Sequence, residues 1–171
     1  MDIIGITVSV NYDDILKHLL QQNSKILKLW YIITSPQDND TINLVNNSGL
    51  SNVKLLIYND FKKGASFNKG GGLLFGQEHV YNTHGENNNI LILDSDIYLP
   101  DNMLEILAGG IKDDTIYSAF ERFDYHSLDD FINRKNSSRP WHEIDILGVF
   151  QLYKGSSKYK YQFSHNCGAC D

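Results

Sequence analysis

Cysteine is nearly missing from this chain: its 171 residues hold two, Cys167 and Cys170. A disulfide-stapled scaffold is therefore excluded. The Cys-Gly-Ala-Cys spacing could form half a zinc site or a redox dithiol, but a four-sulfur site needs a second pair, and the sequence has none. A redox dithiol also normally opens a helix after a strand, so the two thiols read as incidental. Basic residues are outnumbered, 15 against 21 acidic, for a net charge of −6. That balance argues against bulk nucleic-acid binding, so any phosphate chemistry must rest on placed groups or a metal. No apolar run approaches the roughly 18 residues of a membrane span. The N-terminus, with Asp2 and no basic lead-in, does not read as a secretory signal. The expectation is a soluble, cytosolic chain. Two phosphate-binding fingerprints are also lacking, the P-loop and the Gly-x-Gly-x-x-Gly of dinucleotide folds.

What is present is 42% hydrophobic residues, enough for a sizeable core in one domain. Ile3 to Val10 is a β-branched run with little alternation, as expected of a central strand buried on both faces. Ile15, Leu16, Leu19 and Leu20 recur at helical spacing behind two acids that favour a helix start. Leu27 to Thr34 reads as a second strand stopped at Pro36, with Trp30 in the core. Thr41 to Asn47 reads as a short helix, Val53 to Tyr58 as a third strand, and the stretch from Leu73 to Val80 as a helix. Ile90 to Leu93 is the fourth strand, and Asp101 to Leu107 a helix capped by Asp101 and ended by Gly109-Gly110. Ile146 to Tyr153 is the last strand. Strands alternating with helices predict an α/β fold, a three-layer α/β/α sandwich around a mostly parallel Rossmann-like sheet. Ligands of such sheets bind beyond the carboxyl ends of the strands, where the polar clusters of this sequence fall.

The most informative motif is Asp94-Ser95-Asp96. Two carboxylates leaving a buried strand together cannot both enter the core without a large desolvation cost. A cation between them resolves this, and hard ions such as Mn²⁺ or Mg²⁺ take oxygen ligands and share them with phosphates. The bland alternative is a turn with solvated acids. The second motif is Asn68-Lys69-Gly70-Gly71-Gly72, where glycines let backbone N–H groups approach a phosphate or ribose, a helix start offers its positive end, and Lys69 adds a charge. The bland alternative is a flexible loop.

These motifs, in this order, resemble the nucleotide-sugar-binding half of a GT-A glycosyltransferase, of the sort found in glycosyltransferase family two and in small virus-encoded sugar transferases. The resemblance covers about residues 1–110, leaving 111–171 as an acceptor-side half whose end at Asp171 suggests a longer native chain. It implies a metal-dependent transferase moving a sugar from a nucleotide diphosphate donor, a UDP-sugar, to a hydroxyl of a glycan, protein or small molecule. By this likeness Val8, Ser9 and Asn11 contact the nucleobase, with Thr34 and Asp38 (or Asp40) supplying the loop that faces the uracil. Asn68, Lys69 and Gly70 lie near the nucleoside. Asp94 and Ser95 serve the ribose, and Asp94 and Asp96 hold Mn²⁺ or Mg²⁺, with His165 a further candidate ligand. The family's late acidic motif, which supplies the general base, has one match, Asp171. This loop, Thr34-Ser-Pro-Gln-Asp38-Asn-Asp40, departs from the Asp-Asp-Gly-Ser of family two. Phe120 to Glu143, rich in aromatics, is expected to be a structureless lid over donor or acceptor. A nucleotidyltransferase and a non-catalytic nucleotide-sugar-binding module are the alternatives. The former typically carries a Gly-rich, basic signature after the first strand, and Ser9-Val10-Asn11-Tyr12 is not one.

Overall fold

The apolar run Ile3–Val8 forms strand β1, with all six residues buried. In this computed structural model, which describes residues 1–61, 67–119, 121–133, 140–142 and 150–161, it is the middle strand of five. Helix α1 (Asp13–Ile26) follows, with Asp13 and Asp14 in its first turn and Lys25 in its last, each matched to the helix dipole. Then come β2 (Leu29–Thr34), α2 (Asn39–Asn46), β3 (Val53–Ile57), α3 (Lys69–His84) and β4 (Asn89–Leu93). A one-turn helix α4 (Met103–Ile106) precedes a two-stranded ribbon, β5 (Glu121–Phe123) and β6 (Pro140–His142), with α5 (Leu128–Ile132) between them. Strand β7 (Phe150–Lys154) closes the sheet, followed by a short 3₁₀ turn, Gly155–Ser157.

The sheet order is β3-β2-β1-β4-β7. The first four strands are parallel and β7 runs antiparallel to β4, Phe150 opposite Leu93 and Lys154 opposite Asn89. Strand order reverses between β1 and β4, which opens a crevice at their carboxyl ends. On one face Ile3, Trp30, Ile32 and Leu91 pack with Leu16 and Leu20 of α1 and Val45 of α2. On the other, Ile4, Ile6, Ile33, Ile90 and Ile92 pack with Leu73 and Val80 of α3. The three-layer α/β/α expectation holds. Trp30 is fully buried, its indole N–H donating to Thr7 Oγ1 at 2.8 Å.

Three expectations change. The glycine run is not a loop before a helix: α3 starts at Lys69, and Gly70, Gly71 and Gly72 are buried inside its first turns. These glycines let α3 lie close on the sheet. A Cβ at Gly72 would sit 2.8 Å from Phe61 and 2.9 Å from Val8, and one at Gly76 would run into Ile33 and Ile6. The helix from Asp101 shrinks to α4, and its N-cap is Asn102, without a side-chain bond; Asp101 instead takes the amide of Gln22. The segment from Phe120 to Glu143 is not structureless, since it contains β5, α5 and β6, although Phe120, 134–139 and Glu143 lie outside the described residues. Residues 146–149 of the last predicted strand lie outside them too.

Candidate functional site

At the reversal point the loops after β1, β2, β3 and β4 enclose a cleft of about 880 Å³, lined by Val8, Val10, Asn11 and Tyr12, by Ser35, Gln37 and Asp38, by Asn59, Phe61, Phe67 and Lys69, and by Asp94, Ser95 and Asp96. Its first wall is fixed by one carboxylate. Asn11 is held at φ 57°, a conformation side chains rarely adopt. Its N–H donates to Asp38 Oδ2 at 2.8 Å. The same oxygen accepts from Thr34 Oγ1 at 2.7 Å, and Asp38 Oδ1 accepts from the Thr41 N–H at 3.1 Å, capping α2. Burial pushes the Asp38 carboxyl up, but hydrogen bonds from the Asn11 N–H, the Thr34 hydroxyl and Thr41 outweigh it and leave it below the usual carboxylate range. Asp38 thus ties three chain segments together at the rim.

The opposite wall carries the acids. Asp94 leaves β4 half-buried and pairs, Oδ1 to Nζ 2.8 Å, with Lys69 in the first turn of α3, both lining the cleft. Ser95 is half-buried and Asp96 exposed. The chain beyond is anchored from α1. Asn23, fully buried, donates from Nδ2 to Ile97 O and accepts the Leu99 N–H on Oδ1, both at 2.9 Å. Gln22 donates from Nε2 to Asp101 Oδ1 and, at 3.5 Å, to Leu99 O. The sequence carries a signal for Asn23: it follows Leu16, Leu19 and Leu20 at seven, four and three residues, so it occupies the apolar stripe of α1, where a polar group must have partners. Among the described residues no three or more His, Cys, Asp or Glu side chains are grouped to hold a metal ion. Asp94 and Asp96 are two oxygen donors beside an open cleft, which fits Mn²⁺ or Mg²⁺ taking its remaining ligands from phosphate and water.

The third wall is aromatic. Phe61 and Phe67 stack with ring centres 5.4 Å apart and planes 6° apart, and Tyr58 meets Phe61 edge-on at 4.9 Å. Asn68 caps α3, Oδ1 accepting from the Gly71 N–H at 2.8 Å. Of the candidate ligand-binding residues, Val8, Asn11, Asp38, Lys69, Asp94, Ser95 and Asp96 line the cleft. Ser9, Thr34, Asn68 and Gly70 do not; all four are buried beneath it. Ser9 Oγ and Asn68 Nδ2 have no hydrogen-bond partner among the described residues. His165 and Asp171 lie outside the described residues, as do Cys167 and Cys170.

Beyond Asp96 the chain leads to Tyr98, whose ring meets Phe131 of α5 at 5.6 Å, and Phe131 meets Tyr125 at 5.3 Å. The ribbon segment is thus connected by its aromatics to the acidic loop. Strand β7 lies beside β4 and, being antiparallel to it, begins at the cleft and leaves from the far end. The following chain turns back over α3. There Gln77 Nε2 donates to Tyr153 Oη at 2.5 Å and to Tyr159 O at 3.1 Å, and Gln77 Oε1 accepts the Tyr161 N–H at 2.8 Å. Burial pushes the Tyr153 phenol up, which keeps it a neutral partner for Gln77.

No protein-family model and no curated protein matches this chain. Solved structures do. A 4-diphosphocytidyl-2C-methyl-D-erythritol synthase superposes with TM-score 0.54 at 14% identity, over 91% of this chain and 76% of its own. HddC from Yersinia pseudotuberculosis gives 0.52 at 10%, over 93% and 80%. Mouse xyloside xylosyltransferase 1, in its apo form, gives 0.50 at 11%, over 92% and 72%. At such identities the likeness is one of fold: a mixed α/β architecture on a mostly parallel five-stranded sheet, shared with proteins that include a xylosyltransferase. Among the described residues no helix is long and apolar enough to cross a membrane.

Proposed function

We propose that this chain is a glycosyltransferase of the GT-A type, transferring a sugar from a UDP-sugar to a hydroxyl acceptor with a divalent ion bound at Asp94-Ser95-Asp96. The observation that carries the reading is the meeting of two acids, a lysine and an aromatic wall in one cleft at the strand-order reversal. Asp96, exposed in the loop after β4, would hold the ion directly, and Asp94 would take the ribose or reach the ion through water. When bound, the ion supplies a Lewis acid for charge developing on the leaving diphosphate. Lys69 adds a second positive charge on the same side, Val8, Asn11 and Phe67 flank the nucleoside, and the chain around Tyr98 and Phe131 faces the acceptor. A carboxylate near the end of the chain, Asp171 in this reading, receives the acceptor's hydroxyl proton. The superposition on a xylosyltransferase supports a sugar-transfer reading, and that on a diphosphocytidyl-methylerythritol synthase keeps nucleotidyl transfer as the competing one.

Purified protein incubated with UDP-sugars, Mn²⁺ and hydroxyl acceptors is expected to release UDP. Pyrophosphate release from a nucleoside triphosphate would identify a nucleotidyltransferase instead, and binding without either product a non-catalytic module. Asp96→Ala should abolish Mn²⁺-dependent UDP-sugar binding while changing fold stability by less than about 0.5 kcal/mol, as for an exposed side chain. Retained binding with the same metal dependence would refute the metal assignment.

A further inference from the structure

Lys69 and Asp94 form an ion pair in the lining of the cleft, 2.8 Å apart and each about one quarter exposed, at 25% and 23% of side-chain surface. Lys69 projects from the first turn of α3, and Asp94 is the first residue beyond β4, so the pair bridges two layers of the fold. Both side chains line the space available to a ligand. Without a ligand, Lys69 therefore supplies the positive charge that a carboxylate leaving a buried strand requires. A divalent ion held at Asp96, within direct or water-mediated reach of Asp94, meets an ammonium already on the Asp94 carboxylate, and two cations beside one carboxylate repel. A diphosphate entering the same cleft offers that ammonium another anionic partner.

We propose that Lys69 is a resident counter-ion that exchanges partners: it holds Asp94 while the cleft is empty and passes to the diphosphate as the metal arrives, so that ion and nucleoside diphosphate bind cooperatively. This rests on the donor-site reading above and adds to it a reason for the two ligands to need each other. Binding linkage is reciprocal, so whatever factor the nucleotide gains from the metal, the metal gains from the nucleotide. In the protein with Lys69, metal alone must displace the ammonium and nucleotide alone must draw it from Asp94. Together each removes the other's obstacle. With a neutral side chain at position 69 the metal settles at Asp96 beside Asp94 unopposed, and the nucleotide loses one cationic contact.

The test is Mn²⁺ binding followed by electron paramagnetic resonance, with and without UDP, in the wild type, Lys69→Gln and Lys69→Arg, alongside circular dichroism to verify the fold. In the wild type, UDP should tighten Mn²⁺ binding at least tenfold. In Lys69→Gln, Mn²⁺ without UDP should bind about three- to tenfold more tightly than in the wild type, and the UDP enhancement should fall by a similar factor or more. Lys69→Arg, which keeps the charge, should retain the enhancement. If Lys69→Gln binds Mn²⁺ alone no better than wild type and keeps the full enhancement, the exchange is refuted while the donor site stands. A wild type whose Mn²⁺ binding ignores UDP overturns both.

Discussion

Replacing Asn23 by alanine should unfasten the acidic loop from the body of the protein without touching an acid. The side chain is fully buried in α1 and makes two hydrogen bonds of 2.9 Å, to Ile97 O and from Leu99 N–H. Removing it leaves the Leu99 N–H, a buried donor, without its partner, which costs about 1–3 kcal/mol. The Ile97 carbonyl, on a half-buried residue, adds the net value of one hydrogen bond, about 1 kcal/mol. The expected loss is therefore about 2–4 kcal/mol. At roughly 2–4 °C per kcal/mol for a domain of this size, the melting temperature should drop by about 5–15 °C. Asp96 is the residue before Ile97, so the same variant should weaken Mn²⁺ binding even at temperatures where circular dichroism shows an intact fold. Asn23→Asp keeps the acceptor for Leu99 but sets a second oxygen against Ile97 O, and should recover only part of the loss. Urea unfolding that gives less than about 0.5 kcal/mol for Asn23→Ala would mean that Leu99 finds another acceptor, and the clamp would have no energetic standing.

Gly76→Ala should destabilise by about 1–3 kcal/mol through overpacking against Ile33 and Ile6, despite the roughly 1 kcal/mol that alanine gains over glycine within a helix; a stabilised variant in urea unfolding would show that α3 shifts freely on the sheet. Asp38 titrates below its ordinary value in the folded state, so its stabilising effect is present above the unfolded carboxyl value near about 4 and is lost as pH falls through the depressed folded value. The stability gap between wild type and Asp38→Asn should accordingly be full at pH 6 and shrink below about pH 4, and a gap unchanged at pH 3 would refute a net stabilising network around the carboxylate.

The order of strands and helices was legible because β1 and β4 are short buried runs of mainly Ile, Leu and Val, and α1 repeats its apolar residues every three or four positions. What sequence could not supply was the reason for particular polar residues. Asp38 resembles a base-contacting acid, yet it stands three residues before Thr41, at the head of a helix, where an N-cap belongs. The glycines after Lys69 suggest a phosphate loop because local reading sees only backbone freedom. Their use here, close approach of α3 to the sheet where Gly72 meets Val8, depends on a residue more than sixty positions away. Asn23, Gln22 and Gln77 escape notice because amides in a helix pass for solvent-facing residues until the partner chain is known. The direction of β7 had no local signal at all. Antiparallel pairing with β4 follows from the return path through α4 and the ribbon, so residues after Tyr153 must recross the sheet before reaching the cleft.

That late, reversed strand also has a consequence for biosynthesis. Until β7 arrives, β4 is an edge, and its sequence, Asn-Ile-Leu-Ile-Leu, is uncharged, apolar and free of proline, the type of segment that recruits other chains into intermolecular sheet. Between the end of β4 and the start of β7 the ribosome must add roughly sixty residues, about 3–12 s at rates of about 5–20 residues per second. Over that interval a nascent chain presents a sticky, nearly finished sheet, so chaperone occupancy should peak after Leu93 emerges and fall once Lys154 has cleared the exit tunnel.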